Sequence, residues 1–305
     1  MSKIREVAVL MSTYNGEQYI REQINSILSQ TGDFKLYLYV RDDGSTDLTT
    51  SILEEYENNG CLRWYGGENL GPAKSFIDLI KKTPEYDFYA FADQDDFWMK
   101  NKIENALNEL SNNKIQCIYF SNAYIADEKL NSINKMVYGF QPSLDLKTLS
   151  CYGGILGCTM VFNLEMAKII RNAPMPNKLI MHDFYLAEVC LALNGKLIFD
   201  ERPTMKYRQH GNNTVGVPTN PLNKIKNRVG ILLHIYKESI AEQAKEICDL
   251  YGVEISAENM EWLEQVSCYR DCLLNRIRLA TTCKVKYPRI NLGLITRLSI
   301  LLGNR

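Results

Sequence analysis

The chain has 305 residues, 46% of them hydrophobic and 23% charged, with a formal net charge of −1. That much apolar material supports one large α/β domain, or a domain with an appendage, and excludes a disordered chain. The near-neutral balance argues against a general nucleic-acid binder, which carries a clearly basic surface.

The first apolar run, residues 7–11, has the length of a buried strand and ends in a Ser-Thr-Tyr-Asn-Gly loop. Tyr19, Ile20, Ile24, Ile27 and Leu28 then recur at helical spacing. Residues 36–40 form a second strand leading into Asp42-Asp43-Gly44-Ser45-Thr46-Asp47, and a helix follows through Tyr56. Residues 62–65 read as a short strand, and residues 73–82 as a helix opened by Gly71-Pro72. The strand at residues 88–92 delivers Asp93-Gln94-Asp95-Asp96 at its carboxyl end. Strand and helix alternate, which predicts an α/β fold on a mainly parallel central sheet. Ligands of such sheets bind beyond the carboxyl ends of the strands, where three polar clusters collect: residues 12–17, 42–47 and 93–96.

The second half is less regular. Residues 115–120 predict a strand, and residues 152–162 a glycine-rich loop running into another. Helical segments flank Met181-His182-Asp183, a strand follows near residues 197–199, and Pro218 and Pro221 mark a boundary before a largely helical remainder. The nine cysteines form no CxxC pair, and their odd number suits reduced thiols in a cytoplasmic protein. Cys268 and Cys272, four apart, lack the further ligands of a zinc site. The first apolar run is too short for a signal peptide, and no stretch reaches the ~18 apolar residues of a membrane span. The chain is therefore read as cytoplasmic, either free or peripheral on the inner face of the plasma membrane.

Two readings of the polar loops stand side by side. DDGSTD serves as a turn, with Ser45, Thr46 or Asp47 capping the next helix. DQDD serves as a solvated strand-to-helix turn, or it awaits a cation, since clustered carboxylates repel unless a cation or proton relieves them. A hard divalent ion held by one or two carboxylates and by substrate phosphates is a recurring answer.

VAVLMSTYNGEQYI, VRDDGSTD, FADQDDFW, GGILGCTMVFN, MHDFYLAEV and YRQHGNN occur in that order over residues 4–217. Together they resemble the family 2 glycosyltransferases of GT-A fold, and within them the bacterial rhamnosyltransferase-like branch that builds capsule, cell-wall and O-antigen polysaccharide. The resemblance implies a catalytic domain over residues 1–220 and a helical extension over 221–305. It implies that Ser12, Thr13, Tyr14 and Glu17 hold the nucleotide and that Asp43 reads the base edge. Asp93 would touch the ribose or nucleotide, with Gln94 beside it, and Asp95 would hold Mg2+ or Mn2+ against the diphosphate. His210 would ligate the metal or contact phosphate, with Arg208 assisting the leaving group, and Asp96 stands behind them as support or cap. Gly153 and Gly154 match the loop near donor and acceptor. Asp183 matches the catalytic base, with His182 where the family has Glu, a departure that leaves the role of His182 open.

The same resemblance implies an inverting transfer of a sugar to a hydroxyl of a growing, lipid-linked polysaccharide. It favours dTDP-L-rhamnose as donor, with UDP-glucose, UDP-galactose or a UDP-N-acetylhexosamine as the alternative. Two other classes stand as alternatives. A sugar nucleotidyltransferase would carry a basic glycine-rich loop after the first strand, and STYNGEQY has neither Lys nor Arg. A non-catalytic saccharide- or nucleotide-binding protein would leave Asp183 and the full DQDD set unexplained. The last segment, residues 284–305, mixes Lys284, Lys286, Arg289 and Arg297 with Leu292, Leu294, Ile295, Leu298, Ile300, Leu301 and Leu302. It reads equally as a segment lying on anionic lipid, a core-packing helix or a dimer contact, so homo-oligomerisation stays open.

Overall fold

A computed structural model describes residues 4–211 and 238–305. The Pro218–Pro221 boundary, and Asn212 and Asn213 of the last motif, lie outside the described residues. The chain divides into two compact units, the first made of residues 1–139, 156–175 and 196–215.

The first unit holds the sheet. Its elements are β1 (Arg5–Thr13), α1 (Ile20–Leu28), β2 (Phe34–Asp42), α2 (Thr49–Asn58), β3 (Arg63–Gly66), α3 (Gly71–Lys82) and β4 (Phe88–Ala92). After these come β5 (Phe97–Trp98), α4 (Lys102–Leu110), β6 (Cys117–Ala126), β7 (Ser132–Met136), β8 (Val161–Asn163), α6 (Leu164–Asn172) and β9 (Lys196–Arg208). The strand order is β3-β2-β1-β4-β8-β6-β9-β5, with β7 paired to β6. Val7, Ala8, Val9, Leu10 and Met11 are fully buried, because parallel β2 and β4 flank β1 on both edges. A strand covered on both faces reads as a continuous apolar run, which is why this one was plain in the sequence. Burying a side chain of this size contributes about 1.5–3 kcal/mol.

The pairing register positions the functional loops. Thr13 lies opposite Asp42 across the β1–β2 ladder, and Met11 opposite Ala92 across β1–β4. The three parallel strands end nearly level, so the polar loops that follow them share one rim.

Beyond β4 the sheet changes character. The short β8 runs antiparallel to both β4 and β6, whereas β6 and β9 are parallel to each other. The run at residues 152–162 differs from its prediction: α5 (Leu146–Tyr152) ends at Gly153, and a 3-10 turn, Gly157–Thr159, precedes the three residues of β8. The strand expected from residue 115 begins at Cys117, whose N–H donates to Asn163 Oδ1 at 2.9 Å. Neither β5, two residues long, nor the polar β7 had an apolar pattern to announce it.

The second unit comprises residues 140–155, 176–195 and 216–305. Its described helices are α5, α7 (His182–Ala192), α8 (Ile240–Tyr251), α9 (Ala257–Ser267), α10 (Leu273–Thr281) and α11 (Ile290–Leu302). Nine of the eleven residues of α7 are buried, which makes it the central helix of this unit. Ser239 and Glu242 form a reciprocal capping box at the start of α8, an arrangement in which the cap alone contributes about 1 kcal/mol. Among the described residues no helix is long and apolar enough to cross a membrane.

Candidate active site

The rim of the sheet is stitched together by short polar bonds. Asp42 closes the DDGS turn, accepting from the N–H groups of Gly44 and Ser45 at 3.1 and 2.8 Å and from the Ser45 hydroxyl at 2.5 Å. Gly44 has φ +89, a left-handed conformation that glycine adopts without strain. The Thr13 hydroxyl donates to the same carboxylate at 3.1 Å. Asn15 N–H donates to Ser45 Oγ, Gly16 N–H to Thr49 Oγ1 and Glu17 N–H to Asp47 Oδ2, while Glu17 Oε2 accepts from Leu48 N–H. The first and second loops thus form one bonded layer. The turn reading of DDGSTD holds; the N-cap of α2 is Leu48 and not Ser45, Thr46 or Asp47, although Asp47 Oδ1 accepts from Thr49 N–H, and Tyr14 is left half exposed above the layer.

The third loop is tied to the first by a single amide. Gln94 Oε1 accepts from Tyr14 N–H at 2.9 Å, and Gln94 Nε2 donates to Tyr14 C=O at 3.0 Å. A Cβ on Gly16 would stand 2.3 Å from that Oε1, so only glycine fits beside the bridge. Ser12 lies beneath, with its hydroxyl 2.6 Å from that of Ser75.

Asp43 is buried. Its carboxylate pairs with the Arg41 guanidinium and accepts from Leu70 N–H and Gly71 N–H, each at 2.9 Å. Oδ1 takes two of these bonds and Oδ2 one, so Oδ2 keeps a lone pair. Arg41 also reaches Asp78 Oδ2 at 3.1 Å, forming a buried charge network below the second loop.

In DQDD the three carboxylates crowd one another but have different partners. Asp96 is wholly buried: Oδ1 accepts from Arg208 N–H at 3.1 Å, and the Cys158 thiol lies against the carboxylate. Burial pushes its carboxyl well above the ordinary range, and the nearby Asp95 and Asp93 charges push the same way. Asp93, Asp96 and Cys158 bring ligand atoms within 4.8 Å of one another. Burial and the adjacent carboxylates hold the Cys158 thiol protonated, far above the usual thiol range. Asp95 meets His210, with Oδ2 2.7 Å from Nε2. Both side chains are mostly shielded, at 15% and 9% exposure.

Arg208 is the strut of this corner. Its Nε donates to Asp95 C=O at 2.6 Å, Nη2 to Glu22 Oε2 at 2.6 Å and Nη1 to Glu128 C=O at 2.5 Å. The guanidinium stands 4.7 Å above the Tyr19 ring, and that ring packs 4.8 Å from His210. The Tyr19 hydroxyl donates to Glu128 Oε1 at 2.7 Å, and its phenol is pushed up to about 12 by burial and by that carboxylate. Strand β9 therefore carries the last sequence motif onto the same rim as the first three.

The remaining residues singled out in the sequence lie in the second unit. Gly153 and Gly154 have φ +68 and +95, and Gly153 N–H closes α5 on Leu149 C=O at 2.7 Å. A Cβ at Gly153 would touch the Phe184 ring at 3.6 Å, so the glycine loop and the start of α7 pack together. Asp183 occupies the first turn of α7, partly exposed, and accepts from Phe184 N–H at 2.7 Å. His182 is buried, and desolvation pushes it down to about 3, so its imidazole is neutral at physiological pH.

Residues 8–169 match Glycosyl transferase family 2. Over 253 residues the chain is 34% identical to the dTDP-rhamnosyl transferase RfbG of Shigella flexneri, covering 78% of this chain and 85% of that protein. The chain belongs to glycosyl transferase family 2. Among solved structures, this glycosyltransferase is similar to residues 1–349 of Staphylococcus aureus TarS in complex with UDP-GlcNAc. The TM-score is 0.55 at 18% identity, over 97% of this chain and 89% of that one. The mannosyltransferase PcManGT from Pyrobaculum calidifontis, in complex with GDP-Man and Mn2+, matches with TM-score 0.50 at 15% identity, over 99% and 87%. Likeness at such identities is one of fold, and the fold is GT-A, as the motif order implied.

Several residues that build the glycosyltransferase's rim escaped the sequence reading. Arg41 sits one residue before DDGSTD and is its buried counter-charge. Glu22 and Glu128 clamp Arg208 from far away in the chain. Cys158 hides in the glycine-rich segment, and Lys102, fully buried with Nζ 4.8 Å from the Trp98 ring centre, looks in sequence like any helix-surface lysine. Only Arg41 had a local signal: a cation beside two acids at a strand end.

Proposed function

We propose that this glycosyltransferase moves L-rhamnose from dTDP-L-rhamnose to a hydroxyl of a growing, lipid-linked bacterial surface polysaccharide, with inversion at the anomeric carbon. The observation that carries the donor assignment is the 34% identity to a dTDP-rhamnosyl transferase across 78% of the chain. The level ends of β1, β2 and β4, with His210 from the end of β9 against Asp95, support one nucleotide-diphosphate site on this rim.

A divalent ion fits the residues present. Asp95 supplies the carboxylate oxygen that a hard ion such as Mg2+ or Mn2+ prefers, with His210 Nε2 2.7 Å from it, while Asp93 stands with Asp96 and Cys158. The buried Asp96 and the protonated Cys158 thiol serve as backing, since a neutral thiol is a poor ligand for a hard cation. When bound there, the ion would screen the negative charge on the diphosphate.

The protein's own groups do the rest. Asp43 accepts the imino N–H of a thymine through its remaining lone pair, and Tyr14 offers a ring at the rim. Ser12, Thr13, Glu17 and Gln94 hold the loop that receives the nucleotide. The glycines at 153 and 154 allow the acceptor to approach the backbone, with His182 as neutral packing behind. Asp183 takes the proton from the acceptor hydroxyl; the oxygen bonds to the anomeric carbon from the face opposite the leaving group. The carbon–oxygen bond to the β-phosphate breaks, and its electron pair stays on that phosphate oxygen. No enzyme nucleophile is required, in contrast to a retaining hydrolase.

The test is a donor panel. Thermal shift and nucleoside-diphosphate release are measured with dTDP-L-rhamnose, UDP-glucose, UDP-galactose and UDP-GlcNAc, each with Mn2+, Mg2+ or EDTA. Stabilisation and turnover only with the dTDP sugar and a divalent ion are expected. Turnover with a UDP sugar alone overturns the donor assignment. Asp183→Asn is expected to lower kcat by about 10²–10⁴-fold with donor affinity retained; lost affinity at preserved turnover removes Asp183 as the base.

A further inference from the structure

The C-terminal helices present their apolar side chains to the outside. Helix α11 buries Gly293, Thr296, Ser299 and Ile300, while Ile290 is 85%, Leu294 57%, Leu298 51% and Leu302 58% exposed. A helix whose only surroundings are water and its own core does the reverse, hiding leucines and exposing threonine and serine. Positions 290, 294, 298 and 302 are four apart, so they form one ridge along the helix. Helix α10 adds Leu273 and Leu274, also more exposed than not, and Ile277.

The two helices form an antiparallel pair. Arg297 donates to Ala280 C=O and Thr282 C=O near the end of α10, and a Cβ on Gly303 would stand 2.9 Å from the Arg276 guanidinium carbon. Gly293 of α11 packs against the loop that precedes the helix, where a Cβ would meet the Tyr287 ring at 2.9 Å. That register sets Leu298 near the end of α10 and Leu302 near its middle, and brings the exposed start of α10 to the C-terminal end of α11. Single exposed leucines are ordinary on a protein surface; seven large apolar side chains on two paired helices are a patch.

Charge identifies what covers the patch. After Asp271 the chain carries Arg276, Arg278, Lys284, Lys286, Arg289, Arg297 and Arg305 and no acid. Arg278, Lys284 and Arg289 are exposed at the end of α10 and in the loop leading into α11. We propose that the α10–α11 hairpin is a docking face for an anionic lipid surface, with the leucine ridge at the acyl boundary and the basic loop among the headgroups. A second copy of the chain is the poorer occupant, because a two-fold contact would press two such cationic segments together, whereas anionic lipid neutralises one. At thirteen residues α11 lies along the surface and does not span it. This inference stands apart from the donor and base assignments above and survives their failure.

The full-length protein is co-sedimented with vesicles of phosphatidylcholine alone and with about one quarter phosphatidylglycerol added. Binding to the anionic vesicles is expected to exceed that to neutral ones by about 10-fold or more, and to weaken at ~0.3 M salt. The variant Leu294→Glu with Leu298→Glu alters only exposed positions. It is expected to melt with the wild type and to lose at least about 10-fold of vesicle binding. Absence of binding at low salt, or equal binding by the double variant, overturns the proposal. So does a dimer that the double variant splits while vesicles go unbound, which would assign the ridge to a second copy.

Discussion

Arg208→Ala separates two roles for this arginine, a strut under Asp95 or a direct clamp on the departing diphosphate. The side chain is 3% exposed, and its partners are two backbone carbonyls, the Glu22 carboxylate and the Tyr19 face. Removing it leaves the Asp95 and Glu128 carbonyls without these donors, at about 1 kcal/mol each once water enters the gap. Glu22 is half exposed and resolvates, so its ion pair is worth no more than about 1 kcal/mol. The cation–π contact adds about 0.5–1 kcal/mol. The loss of about 3 kcal/mol should lower the apparent melting temperature by roughly 6–12 °C. Because Asp95 loses its backbone anchor, affinity for Mn2+ with the nucleotide falls as well, and Arg208→Lys recovers neither fully, since an ammonium cannot reach three acceptors at once. Differential scanning fluorimetry and nucleotide titration are run on the same samples. An alanine variant that melts within about 1 °C of wild type, yet binds nucleotide far more weakly, refutes the strut and makes Arg208 a phosphate ligand.

Gly16→Ala places a methyl 2.3 Å from Gln94 Oε1 and should break the bridge between the first and third loops, costing about 1–3 kcal/mol. Adding Gln94→Ala relieves the clash, so the double variant should melt above the single one; additive losses in the same scan would contradict the packing. Glu188 is buried in α7 with Oε2 accepting from Gln243 Nε2 at 2.7 Å, and burial raises it from 4.5 to about 7. A raised carboxyl stabilises the fold below its unfolded value, and that contribution is lost as pH climbs through about 7. Glu188→Gln should therefore match wild type near pH 4.5 and exceed it above pH 7 by up to about 3 kcal/mol. Melting curves at both pH values check this, and a constant gap would refute it.

Much of the first unit could be read directly. The unbroken run at residues 7–11 admits little besides a doubly covered strand, and Gly71-Pro72 opens α3 where expected. Order of motifs along the chain was enough for family and fold, because each loop follows its own strand. The second half yielded less. Helix α7 is apolar all round, so no period marked its faces, and β8 is too short for any pattern.

Sequence alone determined that three acidic or polar loops follow three apolar strands, a matter of local patterning. Tertiary structure decided what each carboxylate does. Asp42 closes a turn, Asp43 caps α3, Asp95 meets His210, and Asp96 is buried against Arg208 N–H from 112 residues away. It likewise decided that the last helix turns its leucines outward, a choice that the residues of α11 left open. Such outcomes rest on register and on long-range packing, and neither is written in the spacing of neighbouring residues.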